Sequence, residues 1–409
     1  MKNAMRNTGA GGTLRQILVH HRSLSTVPRR VTIHEVGARD GLQNEPMLLS
    51  AEARTEFVRA LALTGLPRVE AASFVHPKLV PQMADAADVL RGSATYAAGA
   101  SQGDVSFPVL VPNRKGFDDA VAAGARSVAL MTAASETFSA RNVNSTILEQ
   151  VERAVVLTAE AEVRQLTSRT YISCALGCPF EGAISPHAVA KIAHELHAAG
   201  CREVVLSDTI GTGTPGSMAT LLKAVLPLVP AEHLAVHCHD TYGQALANIY
   251  VALEHGVTVI DSSVAGLGGC PFAGDGAAGN VATEDVVYML EGLGIETSVD
   301  LYKVAEVGEE ISRLLERPNS SKAGLAMLRA KRSASSAAGT PADAKGESFQ
   351  RLSPQSKSPL TRPPIGHPGC HTVHQPVGAS GLDAGVSNAH LIATAAARSA
   401  GWRAEECGV

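Results

Sequence analysis

Residues 31–45 read VTIHEVGARDGLQNE. The first six form a short apolar run rich in β-branched side chains, the composition of a buried strand. The run gives way to the polar turn Gly37-Ala38-Arg39-Asp40-Gly41-Leu42. That turn lacks the G-x-G-x-x-G spacing of a dinucleotide-binding strand and helix, which argues against that class. The same pattern of an apolar run with a polar end recurs at 69–74 (VEAASF), 107–112 (FPVLVP), 127–132 (SVALMT), 170–175 (TYISCA), 204–208 (VVLSD), 234–239 (LAVHCH) and 257–263 (VTVIDSS), making eight runs in all. Between them lie stretches with helical periodicity, for example 51–64, 145–166, 186–199, 217–226 and 243–255. Several of these stretches end near a glycine, at Gly65, Gly124, Gly200 and Gly256, as helix C-termini do. Strands alternating with helices imply a parallel sheet. Eight of them favour a closed (β/α)8 TIM barrel over an open doubly wound sheet.

The chain of 409 residues holds one such barrel with an extension at each end. The expected division is a leader at 1–30, a barrel domain at 31–325 and a low-complexity tail at 326–409. The first 34 residues contain no Asp or Glu but carry Lys2, Arg6, Arg15, Arg22, Arg29 and Arg30, with apolar Leu14, Ile17, Leu18 and Leu24 between them. An Arg-rich, acid-free, amphipathic start reads as a mitochondrial transit peptide and so places the protein in the matrix. The alternatives are a disordered basic N-terminus or a misplaced start codon, and with either a cytoplasmic protein. The tail is rich in Ser, Ala, Gly and Pro, as in Thr361-Arg362-Pro363-Pro364, and sustains no apolar face, so disorder is expected there. A net charge of −4 leaves no chain-wide basic field for nucleic acid. No apolar run reaches the roughly 18 residues that a membrane span needs. The seven cysteines, at 174, 178, 201, 238, 270, 370 and 407, form no disulfide framework and suit a reducing compartment.

In a barrel, polar residues at the C-terminal ends of the strands build the active site. Those residues here are Arg39 and Asp40 after strand one, Glu70 and Ser73 on strand two, Asp208 on strand six, and His237, Cys238, His239 and Asp240 on strand seven. His237 and His239 are two apart on a strand, so they share a face and Cys238 takes the other. Two imidazoles with carboxylate or amide oxygens suit Mg²⁺, Mn²⁺ or a related divalent ion better than structural zinc. Asp40 is expected as the third ligand, from a neighbouring strand. The plain alternative is a pair of core histidines satisfied by hydrogen bonds. Arg39 at the barrel mouth suits an oxygen that becomes an enolate, or else a structural ion pair with Glu70 or Asp208. Cys270 lies in the glycine-rich segment GLGGCPFAGDGAAGN at 266–280, a loop able to bring a thiol into a pocket for proton transfer. Cys174 and Cys178 in CALGC lack CxxC spacing, and Cys370, His371 and His374 lie in the tail. Neither set reads as a metal site.

Several blocks together resemble hydroxymethylglutaryl-CoA lyase, a family of the DRE-TIM metallolyase superfamily. They are VGARDGLQNE at 36–45, ASFVHPKLVPQM at 72–83, SCALGCPFEG at 173–182, SDTIGTGTPG at 207–216, VHCHDTYGQALAN at 236–248, SVAGLGGCPF at 263–272 and GNVATEDVVYMLEGLGI at 279–295. The RDG and HxH motifs mark the wider superfamily, which includes isopropylmalate and homocitrate synthases. The GLGGCP loop is specific to the lyase. The resemblance implies metal-dependent retro-Claisen cleavage of HMG-CoA to acetoacetate and acetyl-CoA, as in leucine degradation and ketone-body formation, by a homodimer. It further implies that Asp40, His237, His239 and Asn280 hold the metal, that Arg39 stabilises the enolate, and that Cys270 transfers protons. Glu70 would support Arg39, Gln43 and Ser73 would contact substrate, and Asp208 and Glu284 would play supporting roles. The chain departs from the family in a longer segment between Cys270 and Asn280 and in Phe272, where the family usually has Tyr.

Overall fold

The structure, a computed structural model, describes residues 27–99, 105–269 and 279–337. The leader up to residue 26, the glycine-rich stretch 270–278 with Cys270, and the tail from residue 338 lie outside the described residues. Nine parallel strand segments run β1 Thr32–Glu35, β2 Arg68–Val69, β3 Ala72–Ser73, β4 Val109–Leu110, β5 Ser127–Ala133, β6 Thr167–Ser173, β7 Glu203–Asp208, β8 Leu234–Cys238 and β9 Val259–Ser262. Their order is β2-β1-β9-β8-β7-β6-β5-β4-β3. The two ends of that order, β2 and β3, are halves of one stretch, 68–73, interrupted at Glu70 and Ala71. β2 pairs with β1 and β3 with β4. At the break, Glu70 N donates to Glu35 O at 2.8 Å and Ala71 N to Pro108 O at 2.9 Å. The sheet therefore closes on itself, and the nine segments are the eight strands of a TIM barrel.

The helices are α1 Ala51–Ala62, α2 Ala86–Gly99, α3 Arg114–Ala122, α4 Glu136–Val143, α5 Ile147–Val163, α6 Pro186–Ala198, α7 Pro215–Val225, α8 Ala245–Glu254, α9 Thr283–Gly292, α10 Leu301–Leu314 and α11 Lys322–Ala337. Their starts follow from local chemistry. Ser50, Asn113 and Ser135 accept a first-turn N–H, and Thr146 and Thr214 form reciprocal capping boxes with Glu149 and Ser217. Gly65, Gly124, Gly200 and Gly256 each adopt a left-handed φ near +90° just past a helix end, which supplies the expected stops.

Alternation along the strands sorts the core into two zones. Ile33, Ile172, Leu206, Val236, Cys238 and Ile260 face outward, into the large apolar layer under the helices. Leu110, Ala129, Tyr171, Val205, Ala235 and Val259 face inward. The inward positions also carry buried His34, Arg169, His237 and Asp261. β6 begins at Thr167, ahead of the expected 170–175, and ends at Ser173, where Cys174 turns to φ 61°. The polar run Thr167-Ser168-Arg169 falls outside the apolar pattern because its charge is matched only by residues on other strands.

Ordered structure also passes the expected boundary at 325. α11 continues to Ala337, buries Leu328, and pairs Lys331 with Glu306 and Arg332 with Glu309 on α10. Asp285 on α9 accepts from Ser321 Oγ at 2.8 Å and from Ala323 N at 2.7 Å, which fixes the start of α11. Removing α11 forfeits about 2–3 kcal/mol of apolar burial and capping. A chain ending at Ser321 should therefore melt roughly 3–5 °C below one ending at Ala337 by differential scanning calorimetry. Equal melting temperatures would show that α11 adds nothing.

Candidate metal centre and active site

β1 runs into a π-helical turn, Gly37–Gly41, held by Gly41 N and Arg39 N on Val36 O, both at 3.1 Å. A Cβ on Gly41 would lie 2.8 Å from Leu267 Cβ and 2.9 Å from Ser263 Oγ, so this turn needs glycine to seat against the segment after β9. The turn delivers Arg39 and Asp40 to the barrel mouth. Asp40 was expected on a strand beside the histidines. It lies instead in this turn, and β9 separates β1 from β8. The reach of the turn across the barrel end makes up that gap.

His237 and His239 share a face as strand alternation requires, with ring centroids 5.2 Å apart. Their Nε2 atoms lie 3.9 and 4.0 Å from Asp40 Oδ2. One donor atom from each of the three residues lies within 4.8 Å of the others, and no other such group of His, Cys, Asp and Glu occurs among the described residues. Asn280 enters from the far side of the glycine-rich stretch. It bridges antiparallel to His239, while Asp240 N donates to Gly279 O at 2.9 Å and Val281 N to Cys238 O at 3.2 Å. The Asn280 amide donates to Asp40 Oδ2 at 2.8 Å and to Leu267 O at 3.1 Å. Its Oδ1 is buried without a partner. An orphaned carbonyl oxygen beside two imidazole nitrogens and a carboxylate is a donor set that fits a divalent metal.

Electrostatics keeps the donors in the form a cation needs. Burial pushes the Asp40 carboxyl up, but Arg39, His237 and His239 outweigh it and bring it down to about 2. Burial, with His237 alongside, pushes His239 down to about 4, so it is neutral at pH 7. Arg39 is buried, with Nη1 2.5 Å from Asp40 Oδ1 and Nε on Glu70 Oε1. The ion pair and the mouth position, weighed as alternatives for Arg39, thus coexist. Glu70 also accepts from Tyr171 OH at 2.7 Å and contacts His34 Nε2 at 3.0 Å. Burial opposes its charge, but Arg39 and His34 bring its carboxyl to about 2.

The remaining expected residues fall at different distances from this centre. Ser73 ends β3, buried, with its hydroxyl unpartnered. Gln43 is half-buried just past the turn. Asp208 ends β7, pushed up to about 6 by burial despite the backbone N–H groups of Gly213, Thr212 and Gly211. Glu284 sits behind the turn Val264–Gly266 and accepts from Ala265 N. Cys178 Sγ is occupied by the N–H groups of Phe180 and Glu181 at 3.3 and 3.4 Å.

Four residues at the site were not expected: His34, Arg169, Tyr171 and Asp261. Arg169 grips Asp261, and Asp261 Oδ2 lies 3.2 Å from His237 Nδ1. A charge at an inward strand position, as in Arg169-x-Tyr171 and Val259-x-Asp261, was the available signal. Asn44, whose amide donates to Gly269 O at 2.7 Å, carried no such signal.

Two buried carboxyls anchor the turns around the site. Glu35 accepts from Gly37 N at 2.8 Å, Val264 N at 2.9 Å and Thr283 Oγ1 at 2.5 Å. Burial pushes Glu35 up to about 7 and Glu284 up to about 8. For a carboxyl raised on folding, the protonated form is the one the fold favours. Its contribution is whole below the unfolded value near 4.5 and is lost as pH rises through 7 and 8. The melting temperature should therefore fall between about pH 5 and pH 8, and Glu284→Gln should flatten that fall. An unchanged pH profile in the variant would exclude Glu284 as a source.

The family model described as HMGL-like matches residues 30–311. The mitochondrial hydroxymethylglutaryl-CoA lyase of Rattus norvegicus is 54% identical over 300 residues, 73% of this chain and 90% of that protein. A cytoplasmic 3-hydroxy-3-methylglutaryl-CoA lyase of Mus musculus is 49% identical over 308 residues, 75% of this chain and 88% of that protein. The crystal structure of hydroxymethylglutaryl-CoA lyase from Pseudomonas aeruginosa superposes with a TM-score of 0.71 at 48% identity, covering 74% of this chain and 99% of that one. The chain belongs to the HMGL-like family and, within it, to the hydroxymethylglutaryl-CoA lyases.

Proposed function

We propose that this chain cleaves 3-hydroxy-3-methylglutaryl-CoA to acetoacetate and acetyl-CoA, the retro-Claisen step of leucine degradation and ketone-body formation. The observation that carries the reading is the convergence of Asp40, His237, His239 and Asn280 beside Arg39 in a chain 54% identical to a lyase of that name. A divalent ion, Mg²⁺ or Mn²⁺, bound by Asp40, His237, His239 and Asn280 would orient the substrate oxygens and acidify the C3 hydroxyl.

The protein's own residues supply the rest. A base takes the hydroxyl proton, the C3 oxygen becomes the ketone of acetoacetate, and the C2–C3 electron pair moves onto the thioester as an enolate. Arg39 stabilises the enolate oxygen. Its guanidinium stays protonated because Glu70 and Asp40 flank it, and Glu70 aims it from behind. Cys270 is the acid that returns a proton to C2 of the enolate, which completes acetyl-CoA. Ser73 and Gln43 contact the substrate near the mouth. The basic, acid-free N-terminus and the mitochondrial relative support a matrix location.

Release of acetoacetate from HMG-CoA under reducing conditions tests the reading. Activity should vanish with EDTA and return with Mg²⁺ or Mn²⁺. Turnover only with acetyl-CoA plus a 2-oxo acid would instead identify a condensing synthase. His237→Ala should lower kcat/KM by roughly 10³-fold or more. Cys270→Ser should lower kcat far more than it raises KM, and near-normal turnover would remove Cys270 from the chemistry.

A further inference from the structure

We infer that Arg169 and Asp261 are a positioning pair that sets the imidazole tautomer of His237, and with it the strength of the divalent-metal site. The inference rests on the metal-site reading above and concerns residues outside the ligand set.

Asp261 lies inside the barrel on β9, level with His237 on β8 and His34 on β1. Its Oδ2 is 3.2 Å from His237 Nδ1. An ionised carboxylate only accepts hydrogen bonds. Opposite it, Nδ1 must carry the proton, which leaves the Nε2 lone pair facing Asp40 Oδ2 at 3.9 Å. A ligating histidine needs that tautomer, and the group behind it fixes both ring orientation and basicity. His239 has no such support, because its Nδ1 is buried without a partner. Control of the imidazole geometry therefore falls on His237.

Arg169 makes Asp261 a fixed reference. Its Nη2 lies 2.7 Å from Oδ1 and its Nη1 3.3 Å from Oδ2. The guanidinium is itself held by Glu203 at 2.9 Å, by Tyr171 OH at 3.2 Å and by the Tyr171 ring, whose centroid is 5.0 Å away. Glu203 is tied in turn to Arg68 at 2.7 Å. A buried ion pair is poor value for stability alone, since well-packed apolar side chains serve as well or better. Ala129, Val205 and Ala235 fill neighbouring interior positions in that apolar way. The charged pair does what they cannot: it specifies which nitrogen of His237 faces the ligand cluster.

The geometry gives a test with a sign. In Asp261→Asn, Arg169 Nη2 holds the amide oxygen on its own side, so the NH₂ faces His237 Nδ1. The ring then accepts there and carries its proton on Nε2, the nitrogen the metal needs. Mn²⁺ titrated calorimetrically into metal-free protein should bind about 10–100-fold more weakly than to wild type. Adding Arg169→Met frees the amide to turn its oxygen to His237, so the double variant should bind more tightly than Asp261→Asn alone. Glu203 keeps Arg68 as a partner in that variant. Asp261→Asn binding within twofold of wild type, or a double variant no tighter than the single, would overturn the inference.

Imidazole ¹⁵N shifts of metal-free wild type provide a readout that needs no folded variant of Asp261. In the neutral His237 ring the proton should sit on Nδ1, and a neutral ring protonated on Nε2 instead would overturn the inference. These binding ratios and shifts are independent of HMG-CoA turnover. An inactive wild type with the expected binding pattern would count against the proposed reaction and leave the positioning pair standing.

Discussion

Glu70 sits at the break in the strand that closes the barrel, and three demands meet on its buried carboxylate. Its backbone N–H carries the seam to β1. Its side chain holds Arg39 from one oxygen and meets Tyr171 and His34 from the other. A carboxylate with no solvent access is stable only when a cation and hydrogen bonds replace water. Arg39 supplies the charge, and so Glu70 also dictates where Arg39 can be. Arg39 in turn bridges to Asp40. The closure of the sheet and the placement of the first metal-ligand candidate are linked by one chain of ion pairs.

The same logic continues down the barrel interior. Interior positions of a barrel are normally filled by branched apolar side chains in layers. Here the layer near the site is half polar, running Arg68–Glu203–Arg169–Asp261–His237 on one side and Arg39–Glu70–Tyr171 on the other, with Arg169 also touching Tyr171. Each buried charge has an opposite charge beside it, so the layer tolerates low dielectric. The cost is a core whose members cannot be replaced singly, because removing one partner strands the other. What is gained is orientation. Both strong candidates for chemistry, the guanidinium of Arg39 and the imidazole of His237, are held from behind by a carboxylate.

That division also explains what was legible in the sequence. The barrel could be read because its strands and helices carry local signals: β-branched runs, capping residues and terminal glycines, each interpretable within a few residues. His237 and His239 could be read because strand alternation is local too. Arg169 and Asp261 were harder because a charge inside a strand has meaning only beside its partner, 92 residues away. Arg169 therefore falls outside the apolar run at 170–175, although β6 begins at Thr167. Asp40 was placed on a neighbouring strand because the reach of a π-helical turn is not encoded in any spacing rule. α11 is hard to read for a related reason. Its apolar face is thin, and its start depends on Asp285, far upstream in the chain.

The glycines around the site show how backbone and ligand geometry are joined. A Cβ on Gly279 would lie 2.2 Å from Gly268 O, so the two ends of the glycine-rich stretch run backbone against backbone. Asn280, the next residue, ties the same junction from its side chain by donating to Leu267 O, and Asn44 ties it again through Gly269 O. Asn280 also donates to Asp40 and keeps its own carbonyl oxygen free. The neck of the stretch that carries Cys270 and the rim of the ligand cluster are therefore built from one set of hydrogen bonds.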